Sequence, residues 1–448
     1  MIHPIENRYG SPQMRQIFDE EKKLEFQLKV EAVLAESLAE LGKIPPEAAK
    51  EISEKANLRY VRLERVKEIE TETRHDIMAL VKALTEASGE AGKYVHLTAT
   101  SYDIVDTAQA LQIKEAMAIL LAGGQKLLAS LILVAEKYQT LIMVGRTHGQ
   151  HAIPITLGFK FANYCDKIGD DLKRLSADQK YIAGKFSGAV GNCAAQEIYG
   201  LGDDLEQKIM EKLSLVAADI STQVVPRENL ARIVCDVAIF AATIEQIAKE
   251  IRNLQRTEIA EISEPFGKNQ VGSSTMAQKK NPINSENICG NARVIRSCVA
   301  PILENIALEH ERDLTNSACE RSIIPTVFIL ADEIVSRADR IIRDVVVFPE
   351  NIAKNLKLTR GTIMAEAMIT KLVQKGMGRQ TAHEILRQSS FEATGARTEL
   401  EDVLAGNEAV LKYMNAGEIS ANLRFDSYIG KSIAKTRQII NKWKKWNR

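Results

Sequence analysis

The chain has 448 residues, of which 45% are hydrophobic and 26% are charged, as in an ordinary soluble globular protein. A single hydrophobic core rarely keeps growing at this length, so we expect two or three domains. Lys plus Arg equals Asp plus Glu at 59 each, which gives no global case for a nucleic-acid or membrane partner. Any anion that the protein binds must therefore be held by local charge. Aromatic residues make up only 5%, which argues against a stacking platform for bases.

The six cysteines form no Cys-x-x-Cys pair and lie in apolar or helical surroundings. We therefore expect buried free thiols and a cytoplasmic location. The N-terminal residues show no basic-then-apolar signal pattern, and no apolar run approaches the roughly 20 residues needed to span a bilayer.

Apolar residues recur at helical spacing along most of the chain, starting with residues 13–41. Longer patterns follow at 103–144, 156–182, 231–259, 285–309 and 322–347. Several of them are apolar around much of their circumference, which is typical of helices inside a bundle or shared between subunits. Gly123-Gly124 interrupts the first long pattern, where either a bend or a close helix crossing would fit.

These patterns predict an all-α fold with a central long-helix bundle and smaller helical N- and C-terminal domains. We expect the N-terminal helical domain at 1–100 and the central bundle at 101–347, with a long loop at 264–284. Phe348-Pro349 breaks the last long pattern, so the C-terminal helical domain is expected at 348–448.

The most informative part of that loop is Val271-Gly272-Ser273-Ser274-Thr275-Met276-Ala277-Gln278-Lys279-Lys280-Asn281-Pro282. Gly272 frees the backbone, Ser273 offers a hydroxyl, and Lys279 supplies a cation. Composition alone would favour a surface turn, but a shaped cationic loop also suits an anionic ligand. Ser273 does not lie in a Gly-x-Ser-x-Gly elbow, and the chain has neither a phosphate-binding P-loop motif nor a dinucleotide fingerprint.

Three polar stretches contain histidines: His75 lies in residues 70–76, His96 in residues 96–107, and His148 and His151 in residues 145–151. A structural role is the usual outcome for a single histidine, but three such stretches at helix ends favour a site. His148-x-x-His151 fits a metal poorly, because no carboxylate or thiol lies at ligand spacing. We therefore predict no metal ion and no organic cofactor.

A second polar cluster covers residues 310–321 and includes Arg312, Ser317 and Arg321. It is either a solvated connection, whose ion pairs contribute about 0–1 kcal/mol each, or a phosphate grip. Guanidinium groups match phosphate oxygens in pairs, and a serine adds a hydroxyl.

The loop resembles Gly-Ser-Ser-x-Met-Pro-x-Lys-x-Asn-Pro, the signature of the fumarase/aspartase lyase superfamily, with Ala277 where the family usually has proline. More narrowly, the ordered set of motifs resembles the branch that cleaves succinyl-amino nucleotides. That set consists of Arg8-Tyr9, Arg74-His75-Asp76, Thr100-Ser101, residues 145–152, Gln223, the signature loop and residues 311–321. Argininosuccinate lyases share a Gln-Lys-Lys-Asn loop but lack the Arg-His-Asp set. Carboxymuconate cycloisomerases share the Gln-His-Ala run but often lack histidine at the position of His148.

The resemblance implies a β-elimination in purine biosynthesis that releases fumarate from adenylosuccinate, giving AMP. It also implies the same cleavage of succinyl-aminoimidazole carboxamide ribotide, giving the carboxamide ribotide. Ser273 is the expected base, His148 the expected general acid, and Glu286 the residue that orients His148. Substrate contacts are expected from Arg8, Tyr9, Arg74, His75, Asp76, His96, Thr100, Ser101, Gln223, Lys279, Asn281, Arg312, Ser317 and Arg321. A sister lyase or cycloisomerase and a non-catalytic helical scaffold are the alternatives.

The resemblance also implies a homotetramer whose sites each draw on three chains. Helix length supports this independently, because a helix over 103–144 would be roughly 60 Å long at 1.5 Å per residue. Thr100-Ser101 and His148 would then lie at opposite ends, out of reach of one small molecule. A hairpin at Gly123-Gly124 would instead let one chain form the whole site.

Overall fold

The computed structural model describes residues 5, 7–202 and 204–446, and helices dominate it, which confirms the predicted all-α fold class. Within this range the α-helices are α1 (Pro12–Ile17), α2 (Glu20–Glu40), α3 (Pro46–Lys55), α4 (Leu63–Thr73), α5 (Asp76–Ala87), α6 (Ser101–Lys137), α7 (Leu157–Ala177), α8 (Ala194–Ile198), α9 (Asp204–Leu213), α10 (Arg227–Leu254), α11 (Ile283–Ser297), α12 (Val299–Glu304), α13 (Thr315–Arg343), α14 (Pro349–Lys357), α15 (Ala365–Gln374), α16 (Arg379–Ala396), α17 (Leu400–Ala405), α18 (Glu408–Leu411), α19 (Ala416–Leu423) and α20 (Ser432–Trp446). Short 3₁₀ helices cover Gly89–Tyr94, Asp178–Tyr181, Thr362–Met364 and Phe425–Tyr428.

Short strands pair in three two-stranded sheets within the described residues. The antiparallel pairs are β1 (Ile142–Thr147) with β2 (Gln150–Thr156) and β5 (Ile262–Ser263) with β6 (Val346–Val347), and the parallel pair is β3 (Ala183–Gly184) with β4 (Val216–Ala217). The helix expected over 103–144 was therefore wrong at its end, because α6 stops at Lys137 and a β-hairpin follows. Gly145 lies at a register shift of that hairpin, where a Cβ would be 2.8 Å from the carbonyl oxygen of Ile153.

The chain divides into two compact units. The first unit contains the chain up to Gly124, Asp171–Ala242 and Gly290–Ser336. The second unit contains Gln125–Asp170, Thr243–Cys289 and the chain from Arg337 onward. The division into three domains drawn from the sequence stays a prediction.

Each unit has its own hydrophobic core. In the first unit α2 begins at the N-cap Asp19, whose side chain accepts a hydrogen bond from the backbone of Lys22, and its apolar face buries Leu28 and Leu38. The main core cluster there joins residues of α2, α3, α5 and α9. In the second unit Met368 and Leu404 belong to a cluster formed mainly by α15, α16, α17 and α19.

Helix α6 runs from Ser101 to Lys137 without interruption, so the hairpin considered at Gly123-Gly124 is absent. A Cβ on Gly124 would lie 2.4 Å from Cδ2 of Leu172, and one on Gly123 would lie 3.1 Å from Cγ1 of Val335. The glycines therefore allow α7 and α13 to pack closely against α6, which is the helix crossing considered from the sequence.

Helix α6 corrects the expectation that no apolar run approaches the length of a membrane span. Among the described residues, α6 contains an 18-residue window with a mean hydropathy of 1.9, enough by length and composition alone to cross a membrane. Half of that window is buried inside the chain, and Leu127, Leu128 and Leu131 are fully buried. The core helix of a soluble protein passes the same test.

All six cysteines are free, as expected, but only half of them are buried. The buried cysteines are Cys165, Cys289 and Cys298. The partly exposed ones are Cys193, Cys235 and Cys319.

Candidate active site

The N-terminal loop that carries Arg8 and Tyr9 is fixed onto helix α13. The backbone N–H of Gly10 donates to Oε2 of Glu333 at 2.9 Å. Gly10 has φ +74°, and a Cβ there would lie 2.6 Å from Cγ2 of Ile329, so only glycine fits this approach. Tyr9 is half-buried and Arg8 is exposed.

Arg74-His75-Asp76 forms the junction between α4 and α5. Arg74 ends α4 with φ +52°, and Nδ1 of His75 caps α5 by accepting from the backbone N–H of Met78 at 3.3 Å. This bond fixes the ring through one nitrogen and leaves Nε2 for another partner. Asp76 receives a hydrogen bond from Arg321 at 3.0 Å, so two predicted site residues 245 positions apart are brought together.

His96 is bound to a carboxylate that the sequence does not point to. Its Nδ1 lies 2.6 Å from Oε1 of Glu31, whose side chain is only 1% exposed. Burial lowers the pKa of His96, but the charge and hydrogen bond of Glu31 outweigh it and leave the pKa raised. His96 and Thr98 both have positive φ, which is rare for a β-branched residue such as threonine. The ring is therefore fixed and favours its cationic form.

Thr100 and Ser101 open helix α6, and a buried ion pair secures them. The backbone N–H of Thr100 donates to Oδ2 of Asp103 at 2.8 Å. The other oxygen of Asp103 pairs with Lys185 and also accepts from the backbone of Ser187 at 3.2 Å. Asp103 and Lys185 are both fully buried, so this pair ties the start of α6 to the loop that follows β3.

Arg312 and Gln223, both predicted to bind the substrate, are hydrogen-bonded to each other. NH1 of Arg312 donates to Oε1 of Gln223 at 2.8 Å, and Nε2 of Gln223 donates to the carbonyl of Ala189 at 2.9 Å. The guanidinium carbon of Arg312 lies 3.6 Å from the ring centroid of Tyr102. Nε and NH2 of Arg312 are buried, and among the described residues they have no hydrogen-bond partner.

A buried ionic triad joins the N-terminal parts of helices α6, α10 and α13. Arg227, 4% exposed, pairs with Asp106 of α6 and, at 3.0 Å, with Glu320 of α13. Burial raises the pKa of Glu320, and the negative charge of Asp106 adds to this, whereas Arg227 opposes it. The triad therefore fixes how α6, α10 and α13 start relative to one another in the first unit.

In the second unit, His148 lies at the tip of the β1–β2 hairpin. His148 has φ +53° and Gly149 has φ +74°, the positive values at both central positions that a two-residue hairpin turn of type I′ needs. Arg146, two residues before the turn, anchors this end of the hairpin through two hydrogen bonds to the buried Glu261, at 2.9 and 2.6 Å. Burial, helped by the charge of Arg146, lowers the pKa of His151. The turn thus presents the exposed His148 ring on a rigid support.

Ser273 is held by the backbone of its own loop. Its Oγ accepts from the backbone N–H groups of Thr275 at 3.3 Å and Met276 at 3.1 Å. Both donors point at the serine oxygen, so they stabilise negative charge on that atom.

The two ends of the signature loop meet. A Cβ on Gly272 would lie 1.9 Å from the carbonyl oxygen of Lys279, and Nδ2 of Asn281 donates to the carbonyl of Gly272 at 3.0 Å. Glycine is therefore required at this position. The carboxylate of Glu264, at the beginning of the loop, accepts backbone hydrogen bonds from the start of α11, including one from Ser285 at 2.5 Å.

An open cavity of about 990 Å³ lies beside this loop in the second unit. Its charged and polar lining includes Lys249, Arg252, Arg256, Lys279, Lys280, Asn281, Glu264 and Glu286. Cations outnumber carboxylates there, which suits an anionic ligand. Among the described residues no hydrogen bond or ion pair joins Ser273, His148 and Glu286 within one chain.

Sequence reasoning missed Glu31, Tyr102, Asp103, Lys185 and Arg227, each of which holds a predicted site residue or its helix. Asp103 and Tyr102 lie inside the motif stretch 96–107, so the polar density of that stretch could have indicated them. Glu31 sits in the ordinary helical pattern at 13–41 and Arg227 lies just before the pattern at 231–259, so neither carried such a signal.

The all-α fold and the signature loop both indicate a lyase, and comparison with known proteins agrees. A family model described as "Lyase" matches residues 7–297, and one described as "Adenylosuccinate lyase C-terminus" matches residues 361–438. Solved structures with the same fold include a fumarate lyase from Mesorhizobium sp. BNC1, with TM-score 0.90 and 29% identity over 97% of this chain and 99% of that one. A 3-carboxy-cis,cis-muconate lactonizing enzyme from Pseudomonas putida has TM-score 0.90 and 26% identity over 99% of both chains. The prediction of a lyase is confirmed.

Curated relatives narrow the family further. The adenylosuccinate lyase of Pyrococcus abyssi is 48% identical over 98% of this chain and 97% of its own length. That of Methanothermobacter thermautotrophicus is 45% identical over 99% of both chains. The chain belongs to the adenylosuccinate lyase family, as its motifs predicted.

Proposed function

We propose that the protein releases fumarate by β-elimination from adenylosuccinate, giving AMP, and from succinyl-aminoimidazole carboxamide ribotide, giving the carboxamide ribotide. The observation that carries the proposal is the setting of Ser273, whose Oγ accepts two backbone N–H groups in a cationic loop. Relatives that bear the adenylosuccinate lyase name match nearly the whole chain, which supports the choice of substrate class.

Ser273 acts as the base that removes the proton from the carbon beside a succinyl carboxylate. A serine hydroxyl is a weak base unless its alkoxide is stabilised, and the N–H groups of Thr275 and Met276 do this from fixed positions. Lys279 and Asn281 hold the carboxylate on which charge develops in the carbanion intermediate. Both residues line the cationic cavity of the second unit.

His148 acts as the general acid that protonates the departing nitrogen, while the N–C bond breaks and fumarate forms. Its place at the tip of a tight hairpin supports this role, because the turn exposes the ring and limits its movement. Glu286 orients His148 when the site is complete. A positioned acid of this kind contributes about 10²–10⁴-fold to the rate.

The remaining predicted residues bind the substrate. His96 holds a succinyl carboxylate, a role that its raised pKa supports because the cationic ring attracts an anion. The nucleotide phosphate and ribose lie against Arg8, Tyr9, Arg312, Ser317 and Arg321. Further contacts come from Arg74, His75, Asp76, Thr100, Ser101 and Gln223.

The active assembly is a homotetramer in the cytoplasm, with each site built from three chains. Exposed apolar side chains on the long helices support an assembly: Leu133 of α6 is 63% exposed, Ile239 of α10 is 47% exposed and Val294 of α11 is 42% exposed. Among the described residues no hydrogen bond joins Ser273 to His148 within one chain, which fits a site completed by another copy.

The test is a substrate comparison. The purified protein is assayed by absorbance with adenylosuccinate, argininosuccinate and carboxymuconate in parallel, with fumarate identified by chromatography. Turnover of adenylosuccinate with release of AMP and fumarate is expected. Turnover of either other compound alone would assign the protein to a sister branch, and no turnover with any would favour the helical scaffold.

A further inference from the structure

Among the described residues, Arg312 forms no ion pair with a carboxylate. In that part of the chain its polar partners are the neutral amide of Gln223, at 2.8 Å, and the face of the Tyr102 ring, at 3.6 Å. The amide is itself fixed, because its nitrogen donates to a backbone carbonyl at 2.9 Å. The guanidinium is thus held in one orientation by two uncharged groups.

The orientation leaves one edge of the guanidinium unused. Nε and NH2 of Arg312 are both buried and have no partner among the described residues. These two N–H groups form the side of the fork that binds two oxygens of one anion. Buried donors without acceptors are unfavourable, so an anion that accepts from both is favoured at this position.

Tyr102 lies between two of the predicted phosphate-binding residues, Arg312 and Ser317. Its ring lies over the guanidinium carbon of Arg312 at 3.6 Å, and the side chain of Ser317 lies beside its hydroxyl. Burial raises the pKa of Tyr102, so the hydroxyl stays protonated beside that serine. One side chain therefore orients the arginine and borders the serine.

Tyr102 is itself firmly placed. The next residue, Asp103, forms a fully buried ion pair with Lys185, and Asp106, one turn further, pairs with Arg227. The first two turns of α6 cannot rotate without breaking both pairs, so the ring stays where Arg312 needs it.

We propose that Tyr102 is the positioning residue that gives the site its preference for nucleotides over nucleosides, by holding the free edge of Arg312 and the hydroxyl of Ser317 ready for a phosphomonoester. A phosphomonoester has three terminal oxygens, two for the guanidinium edge and one for the serine. A carboxylate has only two and cannot satisfy the whole set. This inference rests on the proposed function, because it deepens the nucleotide contact assigned there.

The test measures binding of AMP and adenosine by calorimetry to the wild type, Tyr102→Leu and Tyr102→Phe. Tyr164→Phe is the matched control, because Tyr164 is equally buried, at 7% against 8% for Tyr102, and lies in α7 outside the site. Loss of the ring is expected to weaken AMP binding by roughly three- to thirty-fold, the range of a cation–π contact, and adenosine binding by less than about two-fold. Tyr102→Phe should give a smaller loss, again for AMP only, and Tyr164→Phe should change neither.

Equal weakening of both ligands, or no weakening of AMP, would overturn the inference. If Tyr102→Leu does not fold, Tyr102→Phe decides alone, through the presence or absence of an AMP-specific loss. Binding needs no turnover, so the outcome is separate from the proposed function, which fails if the wild type releases no fumarate from adenylosuccinate.

Discussion

The residues assigned to binding and those assigned to chemistry are supported in different ways. In the first unit, side chains from distant parts of the chain hold the binding residues: Glu31 holds His96, and Gln223 and Tyr102 hold Arg312. In the second unit, backbone shape places the chemical residues. Ser273 is held by N–H groups two and three residues away, and His148 by a two-residue turn.

The difference has a physical meaning. A buried side-chain network is stable only as a whole, and it prepares a binding surface before the ligand arrives. A loop held by its own backbone keeps its shape locally but leaves the reactive atoms open to partners outside it. The predictions below test whether the two kinds of support respond differently to single substitutions.

The largest effect is expected at Ser273. Ser273→Ala should lower kcat by at least about 10²-fold with KM largely kept, because the base acts in the transition state and not in binding. The unfolding midpoint should stay unchanged, since the side chain contacts only its own loop. Steady-state kinetics and thermal unfolding of one preparation measure both.

Ser274→Ala is the matched control for that substitution, because the two serines are adjacent in the same loop. It should retain most of the activity. An active Ser273→Ala together with an inactive Ser274→Ala would show that the wrong serine was assigned.

Arg227→Met should instead act on stability. It leaves Asp106 and Glu320 as uncompensated buried carboxylates, so we expect a loss of about 3–5 kcal/mol in the free energy of unfolding. Urea denaturation measures the loss. Arg343→Met is the control, since Arg343 is half-exposed and its surface ion pairs contribute about 0–1 kcal/mol. Similar losses for both variants would mean that the triad does not organise the first unit.

A smaller, pH-dependent effect is expected from Glu31→Gln. Glu31 raises the pKa of His96 in the folded protein, so the stability that this gives is fully present below the unfolded-state pKa of about 6.5. It is lost as the pH rises through the raised folded pKa. The difference in unfolding free energy between wild type and Glu31→Gln should therefore shrink as the pH increases from 6 upward.

The control for this pH dependence is Glu36→Gln, on the same helix. Glu36 pairs with Lys212, which titrates far above this range, so its difference should stay flat from pH 6 to about 8. A Glu31→Gln difference that grows with pH would contradict the raised pKa of His96.

The sequence predicted the helices better than the contacts between them. Long apolar periodicity located α7, α10 and α13 with errors of one to seven residues at their ends, because periodicity reports directly on a buried face. The β1–β2 hairpin was missed, although Gly149 at its turn and Pro154 on its second strand are both breakers of a helix. Apolar residues before Gly145 fit a strand as well as a helix, and periodicity cannot separate the two in so short a run.

Site residues were predicted where they occur in compact motifs, as in Arg74-His75-Asp76. Other partners in the network were not, because Glu31 lies 65 positions from His96 and Asp106 lies 121 positions from Arg227. A single sequence contains no signal that links such positions. Packing decides them, and only the folded chain shows which carboxylate meets which cation.

The central claim is that Ser273 and His148 from different copies of the chain complete one site, and subunit complementation tests it directly. Inactive Ser273→Ala and His148→Gln proteins are mixed in equal amounts, dissociated in mild denaturant, reassociated and assayed with adenylosuccinate. If each site takes the two residues from different chains of a tetramer, random association restores about one quarter of the wild-type activity. If both residues act within a single chain, the reassociated mixture stays as inactive as its two parents.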